Sequence, residues 1–166
     1  MPTATIQVAA VTAPDQWLLG AGANKVVAVN APTDDAASYI RTPSNQYRQK
    51  YSLAANAIPP AAIINSISVF SRVMKEGGVA QLWNTSLHLG AASANGTVHE
   101  AVTSYVWVEY TDVISRPGGG GWTIGDITSL EVSIFSAFCN YQERCTSLWL
   151  IVDYTPPGLM FQVFQP

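Results

Sequence analysis

The sequence predicts an all-β protein: an antiparallel β-sandwich of jelly-roll type with one short helix and extended N- and C-terminal arms. Three observations predict it. Apolar residues recur with a period of two from about Ala61 onward. Turn chemistry (NAPTDD, TPSN, IPPA, KEGG, ASANG, RPGGGG and TPPG) interrupts the chain at short intervals. Helical periodicity does not alternate with the strands, which argues against a parallel α/β sheet.

Taken in order, TIQVAA, KVVAVN, SYI and YSLAA read as short strands. In INSISVFSRVM, Ile67, Val69 and Val73 share one face, and Ser66, Ser68, Phe70, Arg72 and Met74 the other. VAQLWNTSLHL sets Val79, Trp83, Leu87 and Leu89 on one side. TSYVWVEY sets Val106 and Val108 against Tyr105, Trp107 and Glu109, so both of its faces read as partly buried. Thr123 and Asp126 in WTIGDITSLEV have capping-box spacing, which predicts a helix of one or two turns that aims Ile127 and Leu130 at the core. EVSIFSAF groups Val132, Ile134 and Phe138. The closing strand, CTSLWLIVDY, sets Leu148, Leu150, Val152 and Tyr154 against Trp149 and Ile151.

At 166 residues the chain is one domain, a sandwich over 25–155 between arms at 1–24 and 156–166. Its hydrophobic fraction, 48%, is ordinary, but only 11% of residues are charged, against about 25% in a typical domain. A surface so poor in charge is expected to be covered by neighbouring subunits, since interface cores are depleted in charge. A secreted domain solubilised by Ser, Thr and Asn is the other reading. The net charge of −3 comes from scattered residues, with no Lys/Arg run to track phosphates, so nucleic acid is not an expected partner. No apolar stretch approaches the roughly 20 residues of a membrane helix, and MPTATIQVAA lacks the features of a signal peptide.

Few residues suggest chemistry. GGGG at 118–121 is followed by Trp122 without the Lys of a phosphate loop, and reads as a flexible connection. A Ser-His-Asp triad from His99, a serine and Asp112 has no nucleophile elbow behind it, so no enzyme activity, catalytic residue or cofactor is expected. Asp34 and Asp35 either cap a turn or, less in keeping with loop statistics, bind Ca²⁺. Cys139 and Cys145 bracket the short stretch NYQER. Facing each other across a hairpin they would close a disulfide; otherwise they are two reduced, buried thiols. Trp107 and Trp149 lie on strands with apolar residues on both faces, where flat rings would line a sugar-binding groove or be buried.

Four stretches carry a resemblance: TDDAASYIRT, IPPAAIINSISVFSRVMKEGG, GGWTIGDITSLEVSIF and LWLIVDYTPP. Together, over roughly residues 30–157, they resemble a β-sandwich domain that recurs in structural proteins of tailed bacteriophages and prophages. The resemblance implies a virion component, assembled in the host cytoplasm, and transfers no catalytic residue. It leaves both chain ends uncovered, and the ends are apolar. After Pro156 and Pro157 stop the last strand, Leu159, Met160, Phe161, Val163 and Phe164 follow within six positions. Burying each contributes about 1.5–3 kcal/mol. The N-terminal segment adds Trp17 and Leu18 as further contacts.

The expectation is therefore a capsid-decorating or head-stabilising protein. Its apolar arms would bind copies of itself and a major capsid or other virion protein. A carbohydrate-binding module, or a tail or fibre component, with Trp107 or Trp149 as its aromatic platform, is the alternative.

Overall fold

A computed structural model of the chain describes residues 2–30, 37–43, 46–77, 81–101, 103–138 and 142–158. Eleven antiparallel strands among them build a two-layer sandwich. The central strand of the first sheet is β11 (Glu143–Thr155). It pairs on one side with β5 (Ile63–Lys75), which pairs in turn with β9 (Val108–Val113). On its other side, β11 pairs with β3 (Tyr39–Arg41) and then with the first part of β1 (Thr3–Asp15), and β2 (Leu18–Ala21) extends β3. The second sheet runs from the later part of β1 through β4 (Arg48–Leu53) and β10 (Leu130–Phe138) to β6 (Gln81–Leu89). Beyond β6 lie β7 (Ala92–Asn95) and β8 (His99–Ala101).

The alternation expected of the long strands holds. Ile67, Val69 and Val73 face the buried layer with Leu148, Leu150 and Val152, opposite Trp83, Leu87, Val132 and Ile134 of the second sheet. Each of these side chains is at most 2% exposed, so the core is apolar through its middle. Tyr105 and Val106, read as strand, precede β9 as an exposed turn, with Tyr105 at φ +59°. Val79 lies outside the described residues.

The N-terminal arm is a correction. Thr3–Gln7 pair with β11 in the first sheet, and Val8–Asp15 pair with β4 in the second. A register shift between Val8 and Ala10 lets one strand serve both layers. Ile6 and Val8 point inward while Thr3, Thr5 and Gln7 point out, so the segment has the pattern of a half-buried strand. Trp17, expected to meet a partner, is instead fully buried in the core. Its amide donates to Gln49 Oε1 at 3.2 Å, and its indole Nε1–H donates to the Tyr47 carbonyl at 3.1 Å.

Among the described residues there are two short helices rather than one. KVVAVN, read as a strand, is helix α1 (Lys25–Asn30). Asn24 overrides the β-branched valines by accepting at its side chain from the Val27 amide, 2.9 Å, and at its carbonyl from the Ala28 amide, 2.9 Å. The helix then buries Ala28 and Val29 against the core. The expected helix is α2 (Ile124–Ser129), and it is capped as the spacing required. Thr123 and Asp126 exchange hydrogen bonds in a capping box, and Arg116 grips Asp126 through Nε and Nη2, both at 2.9 Å.

The hairpin expected around the cysteines is also corrected. β10 and β11 belong to different sheets, so the connection between them is an arch from one layer to the other. Cys139 lies outside the described residues. Cys145 is a free, buried thiol whose Sγ–H donates to the Ser147 carbonyl at 3.3 Å.

Replacing Trp17 by Ala will destabilise the protein by about 3–5 kcal/mol in urea denaturation, the cost of emptying a large core site. A detachable arm would give a change near zero. Thr123→Ala, which removes the α2 cap, costs about 1 kcal/mol in the same measurement.

Candidate functional site

The outward face of the first sheet carries an uncharged row with two aromatic side chains at its centre. β-pairing sets Thr111, Phe70, Trp149 and Gln7 side by side across β9, β5, β11 and β1. The next row holds Val113, Ser68, Ile151 and Thr5, with Val113 71% exposed. Phe70 and Trp149 stack with centroids 4.3 Å apart and planes 9° from parallel. That separation is close to the spacing of neighbouring strands, so the rings stand upright across the strand gap and turn their edges outward. Each has spent one face on the other, and the pair is a ridge rather than the flat platform that a sugar ring stacks upon. Trp107 is half-buried just before β9 and makes no ring contact with Trp149 among the described residues. The Arg72–Glu109 ion pair, at 2.7 Å, lies in the neighbouring row on one side.

A second apolar feature is the edge of the same sheet. β2 pairs only with β3, and its outer side has no further strand among the described residues. Leu18 and Leu19 are 44% and 38% exposed there, and Val27 of α1 is exposed close in sequence. Glycine at position 20 lets the edge lie flat under an aromatic ring. A Cβ at Gly20 would stand 2.0 Å from Tyr39 Cε2, and the Arg144 guanidinium covers the Tyr39 ring at 4.3 Å. Of the two N-terminal residues expected to contact a partner, Leu18 is exposed and Trp17 is not. Leu159, Met160, Phe161, Val163 and Phe164 lie outside the described residues, as do Asp34 and Asp35.

The structure does bring His99 and Asp112 together. His99 Nε2 lies 2.9 Å from both Asp112 oxygens, and the Thr85 hydroxyl donates to Oδ2 at 3.1 Å. The His99 ring packs against Tyr110 and Trp83 at 4.2 and 4.9 Å, which wedges the pair between the two layers at the open side of β8 and β9. Among the described residues no serine or threonine hydroxyl bonds to His99, so the dyad has no nucleophile in place. The glycine run is a turn, with Gly118, Gly119 and Gly120 at positive φ and Arg116 Nη1 donating to the Gly119 carbonyl at 2.8 Å. No group of three or more His, Cys, Asp or Glu that could hold a metal ion occurs among the described residues.

Two buried titratable groups sit at the arch end of the sandwich. Glu143 is fully buried, and neither carboxyl oxygen finds a hydrogen-bond partner among the described residues. Burial pushes its carboxyl up to about 8, and the nearby Ser136 hydroxyl opposes the shift without a well-directed bond. Burial likewise pushes the Cys145 thiol up to about 12, so it is a poor nucleophile at neutral pH. The signal for Glu143 in the sequence is its placement two residues before Cys145 at the head of a strand, a parity that the following bulge obscures.

No family model and no curated protein matches the sequence. Among solved structures the chain is similar to a Stig cyclase, Fisc from Fischerella sp. TAU, crystallised with (3Z)-3-(1-methyl-2-pyrrolidinylidene)-3H-indole. The likeness has 10% identity and a TM-score of 0.46 over 95% of this chain and 100% of that one. It carries no argument about activity.

The Glu143 carboxyl titrates higher in the folded chain than in the unfolded one, so folding favours its protonated form. Its contribution is fully present below the ordinary value of 4.5 and is lost as pH rises through about 8. Glu143→Gln will remove this loss, so that its melting temperature falls less between pH 6 and pH 9 than that of the parent. Parallel melting curves across that range would contradict the assignment.

Proposed function

We propose that this chain is a non-enzymatic structural component of a bacteriophage particle, with capsid decoration or head stabilisation as its role. The observation that carries this reading is the edge of β2, unpaired among the described residues, which presents Leu18 and Leu19 on a chain otherwise sparing in charge. An open edge offers a row of backbone donors and acceptors that another chain can extend, and the two leucines supply the apolar contact. The partner is a second copy of the chain or a capsid subunit. The C-terminal apolar run read from the sequence is the second contact in this proposal, and the Phe70–Trp149 ridge with Val113 is the third surface available to a neighbour.

The mechanism is adhesive. Each leucine buried against a neighbour contributes about 1.5–3 kcal/mol, and repetition over many copies gives the particle its cohesion. The upright Phe70–Trp149 stack is why the docking reading is preferred to a sugar platform at Trp149.

Sedimentation velocity tests the proposal. The parent chain is expected to self-associate or to co-sediment with capsids. The double variant Leu18→Asp, Leu19→Asp should weaken that association at least about tenfold while its circular dichroism stays unchanged. A parent chain that remains monomeric and ignores capsids contradicts the reading. Deleting residues 157–166 in the same assay separates the contribution of the C-terminal run from that of the edge.

A further inference from the structure

The edge of the second sheet carries a chemically labile dipeptide. β7 pairs only with β6 among the described residues, and it ends at Asn95, whose exposed side chain is followed by Gly96. A side-chain amide is a weak electrophile, and the backbone nitrogen of the next residue is the nucleophile nearest to it. Glycine, with no Cβ in the way, is the neighbour that lets this nitrogen approach most freely. Asn95–Gly96 is the one such pair in the sequence.

Packing demands the glycine. A Cβ at Gly96 would stand 2.9 Å from Asp112 Oδ2 and 3.0 Å from the Thr85 hydroxyl oxygen, because the chain here passes over the carboxylate that holds His99. The same fold restrains both reacting groups. The Gly96 amide donates to the Thr85 carbonyl at 2.8 Å, and the Ser86 hydroxyl donates to Asn95 Oδ1 at 2.8 Å. While β7 lies on β6, the nitrogen is engaged and the side-chain amide is clamped to the neighbouring strand.

We propose that Asn95 is a site of spontaneous deamidation gated by the docking of β7 on β6. When β7 lifts, the Gly96 nitrogen attacks Asn95 Cγ. A carbon–nitrogen bond forms to the ring-closing nitrogen, the bond to the side-chain nitrogen breaks, and ammonia leaves with the proton of the Gly96 amide. Water then opens the cyclic imide at either carbonyl, giving aspartate or isoaspartate at position 95. Isoaspartate routes the main chain through the former side chain and lengthens it by one carbon. Gly96 is already in close contact with Asp112 and Thr85, so that carbon has no room and β7 cannot return to its register. The effect reaches the His99–Asp112 pair, since Thr85 and Asp112 are joined beneath Gly96. This site is independent of the β2 edge.

Peptide mapping by mass spectrometry tests the proposal on the full chain, kept folded in mildly alkaline buffer and, in parallel, unfolded in urea at the same pH and temperature. Conversion at Asn95 is expected to be at least about tenfold slower in the folded chain. Ser86→Ala releases the side-chain amide and should speed conversion in the folded chain about fivefold, the equivalent of one hydrogen bond, with circular dichroism unchanged. The isoaspartate fraction should melt below the unmodified chain, whereas Asn95→Asp, which carries the new charge on an unaltered main chain, should melt with it. Equal rates in the folded and unfolded chains overturn the gate, as does a Ser86→Ala chain that converts no faster than the parent. An isoaspartate fraction that melts with the parent, or no lower than Asn95→Asp, overturns the consequence for docking.

Discussion

A single strand holds both layers of this sandwich in register. β1 pairs with β11 through Thr3–Gln7 and with β4 through Val8–Asp15, so neither sheet can slide or open without breaking its ladder. The residues that follow reinforce the joint. Trp17 fills the core and hydrogen-bonds to Gln49 within β4 and to Tyr47 just before it. The Asn30 side chain, at the end of α1, accepts from the Val8 amide at 3.3 Å and donates to the Val8 carbonyl at 2.9 Å, which satisfies the backbone at the point where the strand changes sheet. The N-terminal segment is therefore structural, and the proposed recognition falls to the outer faces and to the edge of β2.

Those surfaces divide the work. The first sheet turns out Ser, Thr and Gln around an aromatic ridge, and ends at an edge strand bearing two exposed leucines. The second sheet turns out an ordered polar network centred on Arg48. Between them the core is not uniform. Its middle is apolar, but the inward positions toward the arch end include Ser71, Gln81, Trp83, Ser136 and Glu143, each with a buried side-chain atom left without a partner among the described residues. Ring contact between Trp83 and Tyr110 and pairing of Trp83 with Ser136 link several of these positions. Each unpaired polar atom there offsets part of the gain from burial.

Much of this was readable from side-chain parity. The inward sets on β5, β10 and the later part of β11 follow from alternation alone, and the α2 cap follows from the spacing of Thr123 and Asp126. The failures have physical causes. KVVAVN has strand propensity, and one capping side chain, Asn24, with burial of Ala28 and Val29, was enough to make it a helix. The bulge between Cys145 and Ser147 resets the parity of β11, so Glu143 and Cys145 point inward although the pattern of Leu148 and Leu150 places them outside. The segment from Thr3 to Trp17 looked like an arm because its central run, VAAVTAP, lacks alternation where the strand passes from one sheet to the other. The polar array on the second sheet combines residues from three strands far apart in sequence, which no local pattern reveals.

Among the described residues the sandwich is closed along β1 and open along the outer side of β2. Amide hydrogen exchange, followed by mass spectrometry at dilute and at assembling concentrations, reads both at once. The amides of β1 should be protected at every concentration, whereas those of Leu18–Ala21 should exchange quickly when dilute and become protected on assembly. Rapid exchange across β1 in the dilute protein, or protection of β2 that ignores concentration, would contradict it.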